Sequence, residues 1–70
     1  VRHVLMRVLV LGATGRIGSQ IVEACAARRL PHLGTWYRNP HPEFAPVDLR
    51  DGEAVDDLIA DYQPDVTVLA

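Results

Sequence analysis

Lysine is absent: the seven basic side chains among the 70 residues are all arginines. Any mechanism that needs an amine nucleophile, or a lysine ammonium over a phosphate, is therefore excluded within this stretch. The arginines are scattered and the formal charge is −2, so no positive stripe could neutralise a run of nucleic-acid phosphates. Cysteine occurs once, as Cys25, which rules out an internal disulfide, and no Cys/His cluster has metal-ligand spacing. A reducing, cytoplasmic setting is the expectation. Long hydrophobic runs are missing as well. The longest, Val8 to Ala13, contains Gly12 and is far too short to cross a bilayer. The apolar stretch interrupted by Arg7 also lacks the continuous core and small-residue cleavage site of a secretory signal. No repeat, low-complexity tract or linker divides the chain. One domain is expected, with neither nucleic acid nor membrane as partner.

Apolar residues make up 49% and charged residues 23%, the balance of a folded globular domain. A chain this short can bury only a small core. Met6 begins the first patterned segment, so residues 1–5 are expected to be an N-terminal extension and residues 6–70 the folded unit. Met6 to Leu11 is a nearly continuous apolar run ending in glycine, as in a strand buried on both faces of a parallel sheet. From Arg16 to Leu30 the positions Ile17, Ile21 and Cys25, with Val22 and Ala26 beside them, form one helical stripe. Arg28 and Arg29 suit the negative C-terminal end of that helix, and Pro31 stops it.

His32 to Tyr37 reads as a second strand, followed by the proline-rich loop Asn39-Pro40-His41-Pro42. Ala45 to Leu49 is a candidate brief third strand. Asp51 can then cap a second helix whose apolar positions are Val55, Leu58, Ile59 and Tyr62. Asp56, Asp57 and Asp61 form its solvated face, and Pro64 separates it from a last strand, Asp65 to Ala70. The expected order is β-α-β-β-α-β. Right-handed crossovers then require one helix on each face and a strand order of 3-2-1-4. In such α/β sheets ligands bind at the switch point, here the crevice between the first and fourth strands.

Gly12-Ala13-Thr14-Gly15-Arg16-Ile17-Gly18 sits between an expected strand and an expected helix, which raises a glycine pattern above coincidence. Gly12 permits the tight turn. Gly15 lets a pyrophosphate approach the backbone, and Gly18 allows the helix to pack close to the strand. Unpaired amides around Gly15 to Ile17 would face the phosphates, each helix start contributing about 0.3–2 kcal/mol toward an anion. A bare strand-to-helix turn without a ligand is the alternative. The competing P-loop needs Lys then Ser or Thr from its seventh position; Gly18 stands there, so a kinase or ATPase is disfavoured.

The Gly-x-x-Gly-x-x-Gly turn, Tyr37-Arg38, Asp48-Leu49-Arg50-Asp51 and Pro64-Asp65-Val66, in that order, resemble the extended short-chain dehydrogenase/reductase family. Within it the chain is similar to dTDP-4-dehydrorhamnose reductases and the related regulatory beta subunits of methionine adenosyltransferase. The resemblance covers Met6 to Ala70, with Leu11 departing from the small or hydroxylated residue many members carry. It implies a partial Rossmann-type NAD(P)-binding domain over residues 6–70. In an NAD-binding unit an acid about 20 residues past the glycines accepts the ribose 2′-hydroxyl. Between Glu23 and Glu43 this sequence has no acid, and Arg38 occupies the end of the second strand. A guanidinium there would meet a 2′-phosphate, a contact of about 1.5–3 kcal/mol that favours NADP roughly ten- to hundredfold. A solvated loop arginine is the plainer alternative for Arg38.

By the same resemblance Asp48 would accept from the adenine amino group, Leu49 would pack on the ring, and Leu69 and Ala70 would lie beside the cofactor. Thr14 and Arg16 complete the expected cofactor set. The family's Tyr-x-x-x-Lys pair, which protonates a carbonyl oxygen with help from a Ser or Thr, has no counterpart, since neither Tyr37 nor Tyr62 is followed by lysine. No catalytic residue and no metal ligand is therefore assigned. Two functions follow from the resemblance: the NADP(H)-binding part of an oxidoreductase acting on a nucleotide-linked sugar, or a non-catalytic NADP-binding regulatory subunit. Cys25, Trp36 and Tyr37 are read as packing residues, and His3, His32 and His41 have no expected partners.

Overall fold

A computed structural model describes residues 6–70; the expected extension at residues 1–5 lies outside the described residues. Six elements follow one another: β1 (Val8–Leu11), α1 (Arg16–Ala27), β2 (His32–Trp36), β3 (Ala45–Pro46), α2 (Gly52–Tyr62) and β4 (Val66–Leu69). The strands form one parallel sheet ordered β3-β2-β1-β4. Both the α/β class and the 3-2-1-4 order are as the crossover rule requires.

All four residues of β1 are buried, because the strand is covered on both faces. Its side chains alternate across the sheet. Val8 and Val10 join Ala13 and Cys25, with Ile21, Val22, Leu30 and Phe44 packed against them. Leu9 and Leu11 point the other way, joining Val47, Leu33, Ala54, Val55, Leu58 and Tyr62. One helix thus seals each face.

Several expected boundaries and stripe positions are corrected. Helix α1 stops at Ala27, three residues before Leu30. The stop is made by the backbone ahead of Pro31. Arg29 takes a left-handed conformation (φ 56°), its amide donates to Ala26 O (3.1 Å) and that of Leu30 to Cys25 O (2.9 Å). This paired closure satisfies the last carbonyls and carries Leu30 back onto the core. Ile17 does not share the stripe of Ile21 and Cys25; it is 64% exposed, because in the first turn the neighbouring Gly18 is the residue packed against the strand. Ile59 is likewise exposed, and Ala54 takes its place against the core. Strand β3 is shorter than expected, because Pro46 has no amide for a ladder and the chain turns at Asp48. Strands β1, β2 and β4 are trimmed to the residues that exchange sheet hydrogen bonds.

Candidate functional site

Parallel strands deliver four chain segments to one edge of the sheet, namely Gly12 after β1, Tyr37-Arg38 after β2, Asp48-Leu49 after β3 and Ala70 after β4. The residues expected to hold a cofactor are therefore gathered at the carboxyl ends of the strands, where open α/β sheets take ligands.

The glycine turn is built by three different demands. Gly12 has φ 84°, a left-handed conformation that glycine adopts without strain, and Ala70 lies against it, its amide donating to Leu11 O at 3.0 Å. At Gly18 a Cβ would stand 2.1 Å from Gly12 O and 2.8 Å from Ala13 Cα. No side chain fits there, so this glycine serves the close approach of helix and strand. Gly15 is different. A Cβ at Gly15 would meet nothing closer than Gly12 O at 3.8 Å, and its backbone (φ −78°, ψ 175°) suits any residue. Neither turn geometry nor packing demands glycine at Gly15, which leaves the open, exposed side of the turn as the feature its missing side chain preserves.

The first turn of α1 is left unsealed. No side chain caps it and it carries no acid; the first intrahelical bond is Ser19 N to Gly15 O (2.9 Å), so the amides of Arg16, Ile17 and Gly18 have no partner within the helix. Helix α2 shows the contrast. Asp51 accepts from Ala54 N at 3.1 Å and Glu53 lies in the first turn, so that helix supplies its own negative charge. The exposed, amide-rich and basic start of α1, with Arg16 on its rim, is suited to an anion.

Thr35 and Gly34, which sequence reasoning passed over, hold the turn in place. Thr35 is buried at 1% exposure; its Oγ1 accepts from Gly12 N (3.0 Å) and its carbonyl from Ala13 N (2.8 Å). Gly34 leaves room for the turn, because a Cβ there would lie 2.6 Å from Ala13 Cβ. The available signal was the small Gly34 next to the hydroxyl-bearing Thr35 inside an otherwise bulky strand.

On the β2–β3 side, Asp48 folds the chain back on itself. One carboxylate oxygen accepts from Arg50 N (2.9 Å) and Arg50 Nε (3.1 Å), the other from Arg50 Nη2 (3.1 Å). This is the one ion pair among the described residues. Hydrogen bonds from the Arg50 side chain and backbone lower the Asp48 pKa below its ordinary 3.8, and Asp48 in turn raises that of Arg50. Arg50 Nη2 also donates to the Tyr37 hydroxyl. The guanidinium carbons of Arg38 and Arg50 lie 5.8 and 5.3 Å from the centre of the Tyr37 ring, within cation–π reach. Leu49 is 41% and Leu69 72% exposed at the same edge, apolar surface with no protein partner over much of its area.

A cleft of about 420 Å³ opens between α1 and the β2–β3 loop, lined among others by Ala13, Thr14, Glu23, Asn39 and His41. It shares Ala13 and Thr14 with the glycine turn, but Glu23 makes its wall unsuited to a phosphate. Cys25 is buried and free within the α1 core, as a packing residue. Among the described residues, no cluster of three His, Cys, Asp or Glu could hold a metal ion, and no helix is long and apolar enough to cross a membrane.

Curated relatives include methionine adenosyltransferase 2 subunit beta of Rattus norvegicus, 40% identical over 62 residues that cover 89% of this chain and 19% of the relative. The Bos taurus protein of the same name is 37% identical over the same coverage. Among solved structures, a candidate epimerase from Burkholderia cenocepacia J2315 superposes with a TM-score of 0.79 at 32% identity, covering 93% of this chain and 24% of that one. The chain thus spans about a fifth of the length of the curated relatives it matches. The family model for NAD dependent epimerases and dehydratases, which implies a dinucleotide cofactor, matches residues 8–70, and the chain belongs to the NAD dependent epimerase/dehydratase family.

Proposed function

We propose that the chain is the NADP(H)-binding N-terminal part of an oxidoreductase that reduces a carbonyl on a nucleotide-linked sugar, as dTDP-4-dehydrorhamnose reductases do. The observation that carries the cofactor half of this reading is the open turn at Gly15, beside α1 amides without a partner in the helix, together with Arg38 after β2 and no acid between Glu23 and Glu43. Gly12, Thr14, Gly15, Arg16, Ile17 and Gly18 would cradle the pyrophosphate, and Arg38 would meet the 2′-phosphate. Asp48 and Leu49 would receive the adenine, and Leu69 and Ala70 would flank the cofactor beyond β4. The bound cofactor supplies the hydride; these residues bind and orient it. Nothing in the chain can serve as the Tyr-x-x-x-Lys acid pair, because lysine is absent.

A regulatory role is the second reading, favoured by the 40% identity to proteins named as a beta subunit of methionine adenosyltransferase. Both readings share the cofactor. Calorimetric titration with NADP+ and NAD+ tests that shared step. Tighter binding of NADP+, by roughly ten- to hundredfold, is expected, with Arg38→Gln removing most of the preference. Equal affinities for the two dinucleotides, or no binding, would refute it.

A further inference from the structure

We infer that Arg50 is a positioning residue that sets the preference for a 2′-phosphorylated dinucleotide, by masking the charge of Asp48 at Tyr37, the ring that Arg38 also flanks. The inference rests on the NADP reading above and extends it to a residue outside the cofactor set. Asp48 lies in the turn that follows β3, tied through Arg50 to the Tyr37 hydroxyl at the end of β2, and its side chain is 33% exposed. Left bare, it would repel a phosphomonoester placed at Arg38, whereas a 2′-hydroxyl would be indifferent to it or welcome it as an acceptor.

Arg50 prevents this in two ways. Three of its N–H groups occupy both carboxylate oxygens of Asp48 at 2.9–3.1 Å, a charge-assisted, two-pronged arrangement that fixes geometry as well as charge. Its Nη2 also reaches the Tyr37 hydroxyl, and its guanidinium and that of Arg38 both lie within 6 Å of the Tyr37 ring. Two cations and one anion therefore surround Tyr37. Removing Arg50 leaves one of each, and the local field that favours a dianion disappears.

The side chain of Arg50 is 74% exposed, so Arg50→Gln should fold, which far-UV circular dichroism checks. Dissociation constants for NADP+ and NAD+ are measured by calorimetry on wild type, Arg50→Gln, Asp48→Asn and the double variant. Arg50→Gln is expected to lower the ratio of the NAD+ constant to the NADP+ constant by about fivefold. Adding Asp48→Asn should return the ratio to that of Asp48→Asn alone, because no charge is left to mask. An unchanged ratio in Arg50→Gln overturns the inference, as does a double variant that keeps the lowered ratio. If Arg38→Gln collapses the preference while Arg50→Gln does not, the NADP reading stands and this inference alone falls. A wild-type protein that shows no preference for NADP+ sinks both.

Discussion

Gly15 and Gly18 are three positions apart and identical in chemistry, yet the space around them separates two jobs. Alanine at Gly18 would drive its methyl into the Gly12 carbonyl, 2.1 Å away. Backbone on both sides of that contact cannot swing aside as a side-chain tip can. Overpacking of this kind costs about 1–3 kcal/mol or more, against a gain of about 1 kcal/mol in helix propensity. Gly18→Ala is therefore expected to lower the denaturation midpoint measurably. Gly15→Ala meets only ordinary contact at 3.8 Å, so its stability should stay within about 0.5 kcal/mol of wild type. Dinucleotide affinity should nevertheless fall about tenfold, because on the proposed reading the new methyl would stand where the phosphates approach. Urea melts and calorimetry on both variants separate the two effects. A Gly15→Ala protein that is destabilised but binds normally would reverse the assignment.

The two helices begin in opposite ways. Helix α2 is sealed by the Asp51 side chain on Ala54 N and by Glu53 in its first turn; α1 has no such cap. Asp51→Ala is expected to cost about 0.5–2 kcal/mol and to leave dinucleotide affinity nearly unaltered, since the Asp51 side chain is turned to Ala54 N and its amide hydrogen bond to Asp48 O is kept by alanine. Comparing denaturant midpoints and dissociation constants for this one variant checks both halves. At their other ends the helices converge on a common solution. Arg29 and Gln63 both adopt left-handed backbone conformations, and the amide of Gln63 returns to Ile59 O at 2.8 Å. Both helices spend some strain on residues other than glycine to turn the chain toward the next strand.

Across the molecule, the buried apolar side chains are concentrated in β1 and the residues that touch it from either side. Strand β4, by contrast, exposes Val66 and Leu69. A sheet whose core depends so heavily on one strand has little stability to spare. Ligand linkage should then be conspicuous. Saturation with NADPH at about 100 times its dissociation constant adds about 2.7 kcal/mol, which for a domain of this size raises the melting midpoint by several degrees. A thermal scan with and without NADPH reads this directly. An unmoved midpoint at saturating ligand would mean that the folded state has no dinucleotide site.

The class of fold, the strand order and the placement of one helix on each face were legible from pattern alone, whereas Asp48 and Ala70 were expected near a cofactor only through the family resemblance. Apolar periodicity and the handedness of crossovers are local or topological properties, and both survive translation from chain to fold. Element ends and the exposure of single residues were not legible. Ile17 and Ile59 fit the helical period, yet both face solvent, because period tells which residues share a face and not how far the sheet beneath extends. Arg29 ends α1 through a left-handed turn that no arginine advertises. The roles of Thr35, Gly34 and Arg50 likewise emerged only in three dimensions. Each acts on a residue of another strand or loop: Thr35 on Gly12, Gly34 on Ala13, and Arg50 on Tyr37 as well as Asp48. Distances of this kind are set when the strands close into a sheet, and a linear pattern contains no term for them.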